Sequence, residues 1–135
     1  MVGLDVSTGM IAEAQRRAAG IANATFAVTD GTALPRQPAD SLDLVLAADV
    51  FPYLVQAGPP VPADHMRDFA RVLRIDGRII ILNLSYRDDP AADLSDARRW
   101  AEDNGLALEQ AGARPFRLWD ATAFVAHLSP RAGRT

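Results

Sequence analysis

A chain of 135 residues, 49% hydrophobic and 23% charged, has the size and composition of one soluble globular domain with a single core. Its net charge of -3 gives no basic field for nucleic acid or an anionic membrane surface, and no partner of either kind is expected. The absence of cysteine excludes disulfides, thiolate metal sites and a cysteine nucleophile, and two isolated histidines, His65 and His127, do not make a metal site.

Residues 2–6 read as a short apolar strand with a carboxylate, Asp5, near its end. Ser7 or Thr8 can cap the helix that follows over about 9–19, where Met10, Ile11, Ala14 and Ala18 share one face and Gly20 ends it. Residues 25–29 (Thr-Phe-Ala-Val-Thr) are rich in β-branched side chains and end at the turn pair Asp30-Gly31, a second strand with a carboxylate at its tip. A loop through Leu34-Pro35 and Pro38 leads to an apolar run at 42–47, suited to a sheet interior, with Asp49 at its carboxyl end.

Residues 51–55 read as a short helical turn, and Gly58, Pro59, Pro60 and Pro62 as a loop ending at Asp64, a helix cap. Met66, Phe69, Ala70 and Leu73 then form one buried stripe, and Arg71 and Arg74 suit the helix's negative end. After Asp76-Gly77, read as a turn, Ile79-Ile80-Ile81-Leu82 is expected to be buried on both faces. Asp93 or Ser95 can begin a helix through Ala97, Trp100 and Ala101 that ends at Asn104-Gly105. Strands are expected over about 106–111 and 122–128, the second because Phe124, Ala126 and Leu128 alternate with Val125 and His127. Trp100 and Trp119 read as core or edge packing, His65 as a first-turn helix residue, His127 as an outward strand residue, and 131–135 as a frayed tail. The order of elements gives an α/β sheet that closes with a hairpin.

An acidic residue at the carboxyl end of a parallel strand can accept hydrogen bonds from both hydroxyls of a ribose, and open α/β sheets hold their ligands at such ends. Asp5 therefore reads as half of a nucleotide site, its other reading being a carboxylate that helps to start the next helix. The other half would be a strand with a glycine-rich turn, and neither precedes it in these residues.

Four stretches, in this order, resemble a class I S-adenosylmethionine-dependent methyltransferase of the type 11 or type 12 domains. They are Gly3-Leu4-Asp5-Val6-Ser7 with Met10, Thr29-Asp30-Gly31-Thr32-Ala33-Leu34-Pro35, Asp43-Leu44-Val45-Leu46-Ala47-Ala48-Asp49-Val50, and Arg71-Val72-Leu73-Arg74-Ile75-Asp76-Gly77-Arg78. Trp119-Asp120-Ala121-Thr122-Ala123-Phe124 also resembles the last strand of some members. The resemblance implies a Rossmann-like, mostly parallel sheet with a C-terminal antiparallel hairpin, one domain over 1–135, and S-adenosylmethionine as cofactor. It implies that Asp5 accepts hydrogen bonds from the ribose hydroxyls and that Val6 and Met10 press on the adenine face, although core packing explains those two equally well. Asp30 would accept from the adenine amino group beside Gly31, whose missing side chain lets the backbone approach the ring; Asp-Gly is also a plain turn. Asp49 and Tyr53 fall where the acceptor sits in the family, and a carboxylate or phenol there can orient the acceptor or take its proton. Helix capping by Asp49 and core packing by Tyr53 are the favoured readings, and Asn83, at another strand end, is a weaker candidate for lining the pocket.

The glycine-rich turn of the family is missing, so the chain reads as N-terminally truncated. The expected function is methyl transfer, to a small-molecule acceptor in the cytoplasm, by an incomplete chain whose sheet a second copy or another polypeptide completes. The alternatives are a non-catalytic remnant or binding module of the same fold and, less favoured by carboxylates at both Asp5 and Asp30, a nicotinamide-binding Rossmann half.

Overall fold

The computed structural model describes residues 1–32, 34 and 37–129, and the chain divides into two compact units, Met1–Arg36 and Gln37–Thr135. Ala33 and Pro35 of the resembling stretch, and the tail expected to fray at 131–135, lie outside the described residues.

The first unit is a strand–helix–strand crossover: β1 (Val2–Asp5), α1 (Thr8–Arg17) and β2 (Thr25–Val28). β1 and β2 pair in parallel from Val2 opposite Thr25 to Asp5 opposite Val28. Ser7 is the cap of α1, its backbone extended and its Oγ accepting the Met10 N–H at 3.2 Å. Ile11 is buried, with Ala14 and Ala18 half-buried on the same stripe, but Met10 is 61% exposed and does not join it as expected. Helical side chains lean toward the helix N-terminus, so this first-turn residue projects past the packed stripe.

The second unit holds β3 (Leu42–Ala48), α2 (Phe51–Gln56), α3 (Pro60–Val72), β4 (Leu73–Leu82), α4 (Pro90–Asp103), β5 (Leu106–Ala113) and β6 (Ala123–Leu128). Its sheet has the order β3-β4-β6-β5, with β3 and β4 parallel and the two pairings of β6 antiparallel. The terminal hairpin is therefore present, and β6 alternates as expected over 124–127, Phe124 and Ala126 buried against half-buried Val125 and His127, whereas Leu128, at the strand's end, is half-buried and does not join the buried set. Phe51, fully buried, lies between Phe69 and Trp100 with ring centroids 6.0 and 5.9 Å away. Val45, Ala47, Ile79 and Ile81 are buried, whereas Leu44 and Leu46 on the opposite face of β3 are exposed and Ile80 and Leu82 are half-buried. Burial of 79–82 on both faces is thus corrected to full burial on one, at Ile79 and Ile81, and partial burial on the other, where alternation across the strand places Ile80 and Leu82 beside exposed Leu44 and Leu46.

Other differences have local causes. α3 begins at Pro60, not after Asp64, because Pro60 and Pro62 fall in the first turn, where a helix has no internal partner for an N–H. His65 consequently sits beyond the first turn and is buried, its Nδ1 2.8 Å from the Val61 carbonyl oxygen. Arg74 lies in β4, not at the end of α3, and donates to Asp43 Oδ1 at 2.9 Å. Asp76-Gly77 is an irregularity within β4 and not a turn before it: Leu42 pairs with Leu73 but Leu44 with Arg78, so extra residues loop out with Asp76 at φ 66°. A Cβ at Gly77 would lie 2.8 Å from the Arg74 carbonyl oxygen, which explains the glycine. α4 starts at Pro90, capped by Asp89, whose Oδ1 accepts the Ala92 N–H at 2.9 Å, and not at Asp93 or Ser95. Asp93 instead accepts from Ser85 Oγ at 2.7 Å. Among the described residues, no helix is long and apolar enough to cross a membrane.

Candidate functional site

Parallel pairing of β1 with β2 brings two of the expected site carboxylates to one edge of the first unit. The Thr29 N–H donates to the Asp5 carbonyl oxygen at 3.0 Å, which continues the pairing to the strand tips and sets Asp30 just beyond them. Asp5 Oδ1 accepts the Ser7 N–H at 2.7 Å, so this carboxylate does help to start α1; its Oδ2 has no partner among the described residues. Asp30 Oδ1 accepts both the N–H and the hydroxyl of Thr32, at 3.0 and 2.7 Å, and these bonds hold its carboxyl below the usual carboxylate range. Gly31 has φ 79°, and a Cβ there would lie 3.1 Å from Val6 Cγ1, so the tips of the two strands touch through Val6. Val6 is 64% exposed and Met10 61%, which removes core packing as the account of either. The edge therefore offers carboxylate oxygens as acceptors, apolar surface and a close backbone, a combination that fits the hydroxyls of a ribose and an adenine ring.

The second unit places Asp49 at the tip of β3 and Asn83 at the tip of the neighbouring β4. Both adopt left-handed backbone, φ 58° and 61°, which Asp and Asn tolerate better than other side chains. Asp49 Oδ1 accepts Asn83 Nδ2 at 2.8 Å and the Tyr86 hydroxyl at 2.7 Å. Asn83 Oδ1 in turn accepts the Thr122 N–H at 3.1 Å, fixing the amide between two elements. The bond from Asn83 and then that from Tyr86 lower the Asp49 pKa. The same Asp49 bond, with desolvation and repulsion from Asp49 behind it, pushes the Tyr86 phenol up to about 12. Tyr53 and Tyr86, 63% and 54% exposed, set their rings 6.2 Å apart at 87°.

Both favoured structural readings here are corrected. Asp49 does not cap α2, whose N-cap is Val50 with no side-chain bond, because its left-handed backbone turns the carboxylate to the end of β4. Tyr53 is not in the core, because Phe51, Pro52 and Leu54 take the buried positions of α2 and Tyr53 falls on its outer face. Tyr86 was not found by sequence reasoning. The signal available was the expected parallel neighbourhood of two strands ending in Asp49 and Asn83, which makes any aromatic residue just after either tip a candidate. His65 is held to Val61 on α3, and His127 lies on β6. Among the described residues no group of three His, Asp or Glu could hold a metal ion.

A sequence profile described as the methyltransferase domain matches residues 1–81, well over half of the chain. The chain belongs to this family. Solved structures agree in fold, which is that of class I S-adenosylmethionine-dependent methyltransferases. YcgJ from Bacillus subtilis superposes with a TM-score of 0.65 at 23% identity, covering 80% of this chain and 53% of that one. Magnesium protoporphyrin IX methyltransferase from Synechocystis, solved with bound S-adenosylmethionine, gives 0.66 at 23%, covering 95% and 59%. A chain of the Haloferax volcanii complex between the Trm112 methyltransferase activator and a putative methyltransferase gives 0.70 at 18%, covering 96% and 72%. The methyltransferase-domain chain thus spans about half the length of YcgJ. No curated protein matches it.

Proposed function

We propose that this methyltransferase-domain chain serves S-adenosylmethionine-dependent methyl transfer to a small-molecule acceptor, its first unit holding the adenosine part of the cofactor. The observation that carries the reading is the parallel pairing of β1 and β2, which sets Asp5 and Asp30 at one strand-end edge beside exposed Val6 and Met10. Asp5 accepts from the ribose hydroxyls through Oδ2, Asp30 accepts from the adenine amino group, and Val6 and Met10 cover the ring. When bound, S-adenosylmethionine would supply a methyl group on a sulfonium, whose sulfur is a good leaving group. The chain's own contribution is orientation and exclusion of water, so no catalytic triad is required. Asp49 and Tyr53 orient the acceptor or take its proton, the Asp49 carboxyl being held below its usual range by its bonds from Asn83 and Tyr86. A net charge of -3 favours a small acceptor over a nucleic acid.

In this reading both units belong to one domain. Among the described residues, β1 pairs only with β2 and β3 only with β4, so each keeps an edge that a further strand, from a partner chain or a second copy, can join. The alternative is a non-catalytic module of the same fold. Calorimetric titration of S-adenosylhomocysteine into the 135-residue chain separates the two. Binding that Asp5→Ala abolishes is expected, and a folded chain that binds nothing would leave only the module.

A further inference from the structure

We propose that Asp49, Tyr53 and Tyr86 form a binding site for an organic ammonium group, and that the acceptor of the methyl group is a small molecule carrying one. The assignment of an acceptor rests on the methyl-transfer reading; the ammonium site itself does not. The chain has two tyrosines, and the fold brings both to one strand end, ring planes at 87° and each more than half exposed. The rings meet edge to face, so one face of the pair is covered by the other ring's edge and the remaining faces, on an exposed surface, are left for a cation to sit against.

The third group of the site is charged. Asn83 and Tyr86 both bond Oδ1 of Asp49, leaving Oδ2 without a partner among the described residues. The guanidinium in the same loop, Arg87, is engaged by Asp93 and Asp96 at 2.7 Å each and does not neutralise Asp49. Residues 83–96 otherwise add Asp88 and Asp89, so the surroundings are acidic. An anionic ligand would be repelled here, and a purely apolar one would cover a carboxylate without compensating it. A divalent metal ion is a poor fit, since it takes several oxygen ligands and the described residues hold no group of three donors. An ammonium group satisfies the ring faces and the carboxylate together.

The test uses the full chain with ring-labelled tyrosine, whose two residues give separately assignable NMR signals. Tetramethylammonium chloride is titrated against sodium chloride at equal ionic strength and against tert-butanol, an uncharged molecule of similar shape. Saturable shifts of both rings are expected with tetramethylammonium alone, weakened about fivefold or more in Asp49→Asn, which tolerates the same left-handed backbone. No saturable shift, equal shifts with tert-butanol, or unchanged affinity in Asp49→Asn would overturn the site. Tyr53→Leu, on the exposed face of α2, guards against misfolding of the first variant and is expected to weaken binding as well; unchanged affinity there also overturns the site. Tetramethylammonium binding in a chain that ignores S-adenosylhomocysteine would uphold the ammonium site and remove its role in methyl transfer. Cofactor-analogue binding without ammonium binding would do the reverse.

Discussion

Two strand-end carboxylates, Asp5 and Asp49, occupy equivalent places in their units but are held in different ways. Asp5 is satisfied from its own loop, by the N–H of Ser7 two residues on. Asp49 is satisfied from 34 and 37 residues away, by Asn83 and Tyr86, through a parallel strand pair. The first arrangement is a property of a short stretch of sequence and needs little support from the rest of the unit. The second exists only while β3, β4 and the start of α2 are packed in register. Short-range fixing leaves one carboxylate oxygen available with low structural investment, whereas long-range fixing makes the tip of β3 report on the integrity of the core.

The largest effect that separates the two comes from the core. Phe51 is two residues from Asp49, fully buried, and flanked by Phe69 and Trp100. Phe51→Ala is expected to cost about 3–5 kcal/mol in urea unfolding. In the folded fraction the ring signals of Tyr53 and Tyr86 should move while the Ser7 amide signal stays in place. Equal disturbance of both would show that the Asp5 tip is not locally fixed.

A smaller pair of changes sharpens the contrast at the tips themselves. Asn83→Ala removes the donor to Asp49 and the acceptor for the Thr122 N–H, and puts alanine at φ 61°, for an expected loss of about 1–2 kcal/mol. Ser7→Ala removes only the cap of α1 and is expected to cost about 1 kcal/mol or less. Urea midpoints of the two variants give the order, and a costlier Ser7→Ala would reverse the argument.

The same division explains what could be read from the sequence. The Ser7 cap, the strand ending at Asp5, the helix stop at Asn104-Gly105 and the alternation of Phe124 with Val125 all rest on neighbours within a few positions, and all are present. Asp5 and Asp30 were legible as strand tips for that reason. Asp76-Gly77 has the composition of a turn, but its place inside β4 is decided by Leu42 and Leu44 on another strand. The prolines at 60 and 62 read as a loop because their missing N–H groups count against a helix everywhere except the first turn, where they lie. Tyr86 carries no local mark, and only the register of β3 with β4 brings its hydroxyl to Asp49.

The smallest effect leaves stability at neutral pH untouched and appears only at the extremes of pH. The Tyr86 phenol is pushed up to about 12, above the ordinary value of about 10, because its neutral hydroxyl donates to Asp49 and its phenolate would face that charge. A raised value means that the native state favours the protonated form. The contribution is therefore complete below about pH 10 and is lost as pH rises through about 12. Asp49 has the opposite sign: its lowered value gives a contribution present above the ordinary carboxylate pKa and lost as pH falls through the folded one. Absorbance titration of the phenolates should show a late transition in the wild type. That transition moves toward about 10 in Asp49→Asn, where the charge is gone, and disappears in Tyr86→Phe. A late transition that survives Asp49→Asn would detach the phenol from the carboxylate and leave the tip of β3 no more dependent on distant partners than the tip of β1.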